Sequence, residues 1–142
     1  MEMSLGKWGP YFWGSLHLAC LSTNLELSEQ EKEAVRTFVD SLTKLLPCPM
    51  CRVHFSETLE KYPIELALQT GPELFTWSVA VHNEVNKSIG KPLYTVEEAF
   101  NYWLNEMSIE KSNEFQFDPV IVLIIIVMFI VLALFFIKKR II

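Results

Sequence analysis

Two of the three cysteines in this 142-residue chain lie close together, in the stretch LLPCPMCRVHF. Cys48 and Cys51 have the spacing C-x-x-C, and His54 follows three residues later. Side chains of these types at this spacing suit three kinds of chemistry: thiol–disulfide exchange, metal binding and covalent haem attachment. The neighbouring residues must therefore distinguish between the three.

Two of these alternatives conflict with the residues around the pair. Haem attachment requires a histidine directly after the second cysteine, and Arg52 occupies that position. A structural zinc site requires four ligands, whereas Cys48, Cys51 and His54 supply three, and the chain has no second C-x-x-C. A zinc-binding adaptor and a buried structural pair of cysteines stay open as alternatives to a redox pair.

The redox interpretation follows from the predicted position of the pair. Pro47 interrupts a helical pattern and Pro49 suits a first helical turn, so Cys48 is predicted at the N-terminus of a helix. The positive end of the helix dipole favours a thiolate there. We expect Cys48 to exchange with a substrate and Cys51 to point inward, one turn later. Turnover then requires a cofactor that accepts electron pairs, and a planar flavin suits a site among helices.

The first two helices are predicted from apolar residues that recur at helical spacing. One face of the first helix carries Trp13, Leu16, His17 and Cys20. The second helix begins with a capping box, in which Ser28 and Glu31 bind each other's backbone N–H groups. The predicted buried stripe of the second helix consists of Val35, Phe38, Val39, Leu42, Leu45 and Leu46.

Three further helices are predicted from start and stop signals, over approximately residues 48–62, 73–89 and 95–107. Pro63 ends the third helix, and a second capping box, formed by Thr95 and Glu98, begins the fifth. No segment shows a convincing alternation of apolar and polar residues that would indicate a strand. The sequence therefore predicts an all-α protein with a small helical bundle in residues 1–107.

The C-terminal part differs sharply in composition. Residues 108–118 are polar and are predicted to form a tether. The 18 residues from Val120 to Ile137 contain no polar or charged side chain, and Lys138, Lys139 and Arg140 follow them. Lysines that snorkel extend the usable apolar length towards the ~20 residues that a membrane helix needs. We therefore expect a transmembrane anchor over residues 119–138 and a short basic tail over residues 139–142.

Charge and targeting signals bear on partners and location. All 17 acidic residues lie within residues 1–118, which argues against nucleic-acid binding by this part of the chain. The N-terminus lacks the pattern of a secretory signal peptide, so a single C-terminal span would leave residues 1–118 facing the cytosol. The basic tail favours the opposite orientation under the positive-inside rule. We give the missing signal more weight and expect a cytosolic catalytic domain.

Three motifs together resemble a known family. WGPYFWGSLHL, LPCPMC and HNEVNKSIGKP occur in this order on the first, third and fourth predicted helices. This combination is similar to the Erv/ALR family of FAD-linked sulfhydryl oxidases, in particular to the compact forms encoded by large cytoplasmic DNA viruses. The similarity covers approximately residues 8–103, so residues 1–107 would form the FAD-binding domain. It implies a bundle of four helices around FAD with a fifth packed across them.

The resemblance also implies roles for single residues. Cys51 would lie against the flavin ring and Cys48 would exchange with substrate. Trp13 and His17 match a W-x-x-x-H motif that contacts the flavin and the adenine nucleotide. The H-N-x-V-N motif, which cradles the adenine and the phosphates, corresponds to residues 82–86.

The complete set of candidate cofactor-binding residues combines these matches with neighbouring side chains. His54 follows the cysteine pair, and Lys87 and Lys91 would bring positive charge close to a pyrophosphate. The tryptophans on apolar faces have a plainer alternative as core residues. The set is Trp13, His17, His54, Trp77, His82, Asn83, Val85, Asn86, Lys87, Lys91, Tyr94 and Trp103.

The chain also departs from the family pattern. It lacks the second, shuttle C-x-x-C of longer members and the structural disulfide around the H-N-x-V-N helix, and Cys20 is its only other cysteine. Substrate would therefore reach Cys48 directly.

The resemblance implies an FAD-dependent thiol oxidase that reduces oxygen to hydrogen peroxide. Its expected partners are a protein dithiol, such as a thioredoxin-like carrier, and a second copy of the chain in a homodimer. In a virus-encoded form, the anchored protein would lie in the host cytoplasm or in a virion membrane. A tail-anchored zinc adaptor and a dithiol–disulfide carrier without oxidase activity are the alternatives.

Overall fold

The computed structural model describes residues 4–107, 123–129 and 136, which fall into two compact units, residues 1–106 and 107–142. The first unit is helical. Its elements are α1 (Leu5–Leu21), α2 (Glu29–Leu45), α3 (Pro49–Lys61), a short 3-10 helix (Ile64–Ala67), α4 (Gly71–Ser88) and α5 (Val96–Met107). Within the described residues, the strand-like pairing is confined to one isolated bridge between Glu26 and Thr70. The all-α prediction is confirmed.

The helix starts follow the predicted capping chemistry. Ser28 and Glu31 form the complete capping box of α2. Thr95 and Glu98 form the same reciprocal pair before α5, with Glu98 N–H donating to Thr95 Oγ1 at 3.1 Å and Thr95 N–H donating to Glu98 Oε2 at 2.8 Å. α4 begins two residues earlier than predicted, because the Thr70 side chain caps it by accepting from the Glu73 N–H.

The core lies between α4 and the elements that surround it, because α4 packs against α1, α3 and the 3-10 helix. Leu16 of α1 and Leu74 and Val81 of α4 are almost completely buried. The predicted stripe of α2 is confirmed at Val35, Val39, Leu42 and Leu46, and Phe38 packs against the core. The stripe prediction was wrong at Leu45, which is 69% exposed because it is the last residue of α2.

The predicted C-terminal segments lie largely outside the described residues. Residues 123–129 and 136 are helical, whereas the tether, the tail and most of the predicted span are not described. In the part of the chain that the structure describes, we found no helix long and apolar enough to cross a membrane. The anchor therefore stays a prediction.

Gly71, at the start of α4, packs tightly against the loop that follows α1. A Cβ at this position would lie 2.8 Å from the Asn24 carbonyl oxygen and 3.0 Å from Thr23 Oγ1. We expect Gly71→Ala to lower the free energy of unfolding by about 1–3 kcal/mol, measured by chemical denaturation. Gly6→Ala is the matched control, because its Cβ would meet nothing closer than 3.9 Å. Equal stability of the two variants would contradict the close packing at Gly71.

Candidate active site

Cys48 and Cys51 form a disulfide at the N-terminus of α3, with their Cα atoms 5.1 Å apart. Cys48 is the N-cap residue, and Pro49 occupies the first helical turn, where its missing N–H costs nothing. The Cys51 N–H donates to Cys48 Sγ at 3.1 Å. The helix terminus therefore directs a hydrogen-bond donor and its positive dipole at the sulfur of Cys48, which favours negative charge on that atom.

Both ends of α3 are held by side-chain hydrogen bonds to the backbone. Near the disulfide, Arg52 Nε donates to the Leu46 carbonyl oxygen at 2.6 Å, across the turn that contains Pro47. At the far end, Trp77 Nε1 of α4 donates to the Tyr62 carbonyl oxygen at 2.8 Å. These bonds fix the position of the disulfide relative to the bundle.

A small apolar cavity of about 90 Å³, which we call the slot, adjoins the disulfide. Cys51 and His54 line it on the side of α3. Trp8 lines it from α1, and Trp8 Nε1 is buried without a hydrogen-bond partner among the described residues. The other lining residues are Leu5, Phe12, Trp13, Leu16, Leu42, Leu46, Phe55, Val85, Ser88 and Ile89.

A larger cavity of about 550 Å³, which we call the groove, lies between α1, α4, α5 and the loop before α5. Its volume falls within the range of ~300–1,000 Å³ that is usual for ligand sites. The groove and the slot share Leu5, Trp13, Val85 and Ile89 as walls, so they are adjacent. The polar and aromatic lining residues of the groove are Trp13, His17, His82, Asn83, Asn86, Lys91, Tyr94, Glu98, Tyr102 and Trp103.

Two histidines form one wall of the groove and are hydrogen-bonded to each other. His17 Nε2 and His82 Nδ1 are 2.9 Å apart, and the Trp13 ring stacks on His82 with centroids 3.9 Å apart. Burial lowers the pKa of His17 to about 3, with a further contribution from His82. Burial also lowers the pKa of His82 to about 4, with a further contribution from Lys91. Both rings are therefore neutral near pH 7.

The two asparagines of the H-N-x-V-N motif differ in what they contact. The Asn83 amide is used within the protein: its Nδ2 donates to the Tyr94 carbonyl oxygen at 2.7 Å, and its Oδ1 accepts from the Tyr94 N–H at 3.0 Å. Asn86 is 5% exposed, and no hydrogen bond to its side chain is found among the described residues. The Asn86 amide atoms are not among the fully buried unpartnered atoms of the described residues, so this side chain is available for a polar ligand in the groove.

Most of the predicted cofactor-binding residues meet at these two cavities. Trp13 and Val85 line both, His54 lines the slot, and the groove brings together His17, His82, Asn83, Asn86, Lys91, Tyr94 and Trp103. The structure places Trp77 and Lys87 elsewhere. Trp77 is buried between α4 and the end of α3, and Lys87 is exposed on the outer face of α4.

Trp8, Ser78 and Tyr102 are among the site residues that sequence reasoning missed. Trp8 lines the slot and Tyr102 the groove, and buried Ser78 contacts His17. A signal existed for two of them. Ser78 lies one helical turn before His82, and Trp8 precedes Trp13 on the same helix.

The arrangement fits a dinucleotide that carries a flat redox ring. The slot is apolar and narrow, adjoins Cys51, and is lined by Trp8, whose Nε1 donor has no partner among the described residues. The groove offers aromatic walls, the free amide of Asn86 and the cation of Lys91. By contrast, we found no group of three side chains that could hold a metal ion among the described residues.

A small helical bundle whose C-x-x-C disulfide borders a narrow apolar slot next to a dinucleotide-sized groove is the arrangement of a flavin-dependent sulfhydryl oxidase. Comparison with known proteins agrees. The model of the Erv1/Alr family matches residues 10–104, and the chain belongs to this family.

The relatives include viral and cellular proteins. The probable FAD-linked sulfhydryl oxidase R368 of Acanthamoeba polyphaga mimivirus is 31% identical over 114 residues, which cover 80% of each chain. An FAD-linked sulfhydryl oxidase of African swine fever virus is 34% identical over 108 residues, or 76% of this chain and 87% of the relative. The FAD-binding domain of Erv1 from Saccharomyces cerevisiae superposes with a TM-score of 0.63 at 25% identity, covering 71% of this chain and 90% of that domain.

The lowered pKa values of His17 and His82 predict how stability depends on pH. An unfolded chain binds protons at both histidines below about pH 6.5, whereas the folded chain does not until the pH approaches 4 for His82 and 3 for His17. The contribution of the two neutral histidines to the free energy of unfolding is therefore fully present above pH 6.5. It decreases as the pH falls, by up to ~1.4 kcal/mol per pH unit for each histidine. Chemical denaturation between pH 7 and 5 measures this slope.

The matched control for the pH prediction removes both titrating rings. A His17→Gln/His82→Gln variant should show a flatter profile over the same interval, where carboxylates contribute little. A flat profile in the unmodified protein would mean that the two buried rings titrate as freely in the folded chain as in the unfolded one.

Proposed function

We propose that this protein is an FAD-dependent thiol oxidase that forms disulfides in substrate proteins and reduces oxygen to hydrogen peroxide. The observation that carries the proposal is the position of Cys51. It is bonded to the N-cap sulfur on one side and lines the slot on the other. One disulfide would therefore connect a site for a protein substrate at Cys48 with a site for a cofactor beside Cys51.

Disulfide exchange takes place at Cys48. A substrate thiolate attacks Cys48 Sγ, a new S–S bond forms, the Cys48–Cys51 bond breaks, and Cys51 leaves as a thiolate. The second substrate thiolate then attacks the substrate sulfur of the mixed disulfide and displaces Cys48. The Cys51 N–H stabilises the departing Cys48 sulfur. The substrate is oxidised by two electrons, which remain on the Cys48–Cys51 dithiol.

The remaining half of the reaction involves the slot and the groove. When bound, FAD supplies a two-electron acceptor that oxygen can reoxidise, which no protein side chain provides. The residues that would hold it are Trp8, Trp13 and His54, which line the slot with Cys51, and Asn86 and Lys91, which line the groove. The apolar lining of the slot keeps water away from the Cys51 sulfur.

Absorbance and oxygen consumption test the proposed function. The purified full chain should be yellow and should consume oxygen when a dithiol is added, with one hydrogen peroxide formed for each disulfide. A colourless protein that binds zinc would contradict the proposal in favour of an adaptor. A protein that exchanges disulfides without consuming oxygen would contradict it in favour of a carrier.

We further propose that the substrate is a protein dithiol, such as that of a thioredoxin-like carrier, which docks around Cys48. Exposed apolar side chains next to the disulfide support this proposal. Leu45 is 69% exposed, Met50 is 61% exposed and Val53 is 51% exposed. They flank Cys48 along the chain, and apolar side chains at this position would contact a protein partner but not a small thiol.

The docking proposal predicts that a substitution on this surface impairs the reaction with a protein substrate but not with a small dithiol. Leu45→Lys should raise the KM for a reduced thioredoxin-like protein about tenfold, while the rate with dithiothreitol stays unchanged. Leu66→Lys is the matched control, since Leu66 is 80% exposed on the 3-10 helix. Equal effects of Leu45→Lys on both substrates would place the docking surface elsewhere.

Assembly and location form a separate proposal. We propose that the chain is a homodimer, anchored by the apolar run at residues 120–137 with its catalytic domain facing the cytosol. Exposed Tyr11 and Leu18 on α1, seven residues apart on one face, support a self-association surface. Sedimentation of the detergent-solubilised full chain tests the first part, and protease protection in sealed vesicles tests the second. A monomer, or a protected catalytic domain, would contradict the corresponding part.

A further inference from the structure

A continuous series of hydrogen bonds links the interior of α4 to the wall of the groove. It begins at the Phe75 carbonyl oxygen, 2.7 Å from Ser78 Oγ. Ser78 Oγ lies 2.9 Å from His17 Nδ1, and His17 Nε2 lies 2.9 Å from His82 Nδ1. Ser78 has no solvent exposure and His17 is 2% exposed, so water does not compete for these bonds.

The direction of every bond in the series follows from its first member. A carbonyl oxygen can only accept, so the single hydroxyl proton of Ser78 points at Phe75. Ser78 Oγ must then accept from His17, which places the proton of the neutral His17 ring on Nδ1. His17 Nε2 is consequently bare and accepts from His82 Nδ1–H. The proton of the His82 ring is thus on Nδ1 and its Nε2 is bare.

We propose that Ser78 is a positioning residue that makes His82 Nε2 a hydrogen-bond acceptor for an N–H or O–H group of the bound cofactor. The inference rests on the proposed function, because it concerns the FAD that the groove would hold. His82 lines the groove, and its Nε2 is not among the buried unpartnered atoms of the described residues. It is therefore accessible to a ligand.

Because its Nε2 carries no proton, His82 cannot donate a hydrogen bond from that atom to the cofactor. Phosphate oxygens are acceptors at neutral pH and cannot bond to a bare nitrogen, so the pyrophosphate must lie away from His82. Lys91, with its positive charge, and the amide of Asn86 are groove residues with nitrogen donors to offer it. The cofactor groups that fit His82 are the adenine amino group and a sugar hydroxyl.

Two further observations agree with this assignment. The lowered pKa values of His17 and His82 keep both rings neutral, so that each nitrogen has one defined role. Burial also raises the pKa of the Cys20 thiol to about 12, and Ser78 interacts with that thiol. Cys20 therefore stays protonated and does not draw the hydroxyl proton of Ser78 away from Phe75.

Nitrogen NMR of the histidine rings tests the assignment without any cofactor. In the full-length apoprotein, the ring-nitrogen chemical shifts of His17 and His82 should identify Nδ1 as protonated and Nε2 as bare. Ser78→Ala should remove the constraint and mix the two neutral forms. Cys20→Ala, a change of similar size that leaves the series intact, should not alter them. Protonated Nε2 in both rings of the unmodified protein would overturn the proposal.

Cofactor affinity provides the second test. Equilibrium dialysis should show FAD binding about tenfold weaker in Ser78→Ala than in the unmodified protein, and unchanged in Cys20→Ala. An FAD analogue with a carbonyl in place of the adenine amino group identifies the donor. If the donor is the amine, the unmodified protein binds the analogue more weakly than FAD. If the donor is a hydroxyl, it binds both alike, and Ser78→Ala weakens both.

The outcomes of these tests separate the inference from the function on which it rests. Equal FAD affinity of Ser78→Ala and the unmodified protein would overturn the positioning role while leaving the oxidase proposal intact. A full-length protein that binds no FAD would contradict the proposed function, and the ring-nitrogen shifts would still report the tautomers.

Discussion

Cys51→Ser should lower dithiol-dependent oxygen consumption by about 10³-fold or more while FAD remains bound. The substitution removes the sulfur that connects the exchange site to the slot, so an electron pair delivered at Cys48 has no route to the cofactor. Oxygen electrode measurements give the rate, and flavin absorbance after gel filtration gives the cofactor content. Retained turnover would show that the inner role belongs to another group.

Two controls make this result specific. Cys20→Ala should keep normal turnover, because Cys20 is a buried thiol distant in sequence from the pair. Cys48→Ser should also abolish turnover, but for a different reason. Cys51→Ser leaves a free Cys48 that can form a mixed disulfide with an oxidised protein substrate, whereas Cys48→Ser does not. Mass spectrometry of the adducts distinguishes the two variants.

Asn86→Leu should weaken FAD binding by about 10–100-fold with little loss of apoprotein stability. Asn86 is 5% exposed, lines the groove and shows no side-chain hydrogen bond within the described part of the chain, so we expect its amide to bind the ligand. Leucine has a similar volume and lacks the amide, so it removes a bond to a charged group without leaving a cavity. Equilibrium dialysis of FAD and chemical denaturation of the apoprotein measure the two quantities.

Asn83→Ala is the matched comparison, because it changes the same residue type three positions away. Both polar atoms of Asn83 bind the Tyr94 backbone, so we expect a loss of stability of about 1–2 kcal/mol in the apoprotein. Asn83→Ala would weaken FAD binding only indirectly, by displacing the loop that contains Tyr94. If Asn86→Leu destabilised the apoprotein as much as Asn83→Ala, its amide would have a structural partner.

Local rules were enough to predict most of the fold. The capping boxes at Ser28 and Thr95, and the prolines around Cys48, act within a few residues, so the helix starts could be derived from the sequence. Leu45 was predicted incorrectly because periodicity does not show where a helix runs past the core that covers it. The exposed end of α2 depends on how α3 packs, which is a tertiary property.

The candidate site was only partly predictable, for a related reason. The resemblance identified residues that meet at the groove, such as His17 and His82, which are 65 positions apart. It could not separate Trp77 from Trp13, because both lie on apolar helix faces and only the packing places one beside the groove. Nor could it show that Asn83 is committed to the backbone while Asn86 is not, since the difference depends on the loop that ends at Tyr94.

The hydrogen bonds at the two ends of α3 have a consequence for the catalytic cycle. Arg52 and Trp77 hold the helix through backbone carbonyls, and neither bond involves a sulfur atom. The helix can therefore keep its position when the disulfide opens, and only the two sulfurs need to separate. Each catalytic cycle can then return to its starting geometry without refolding the site.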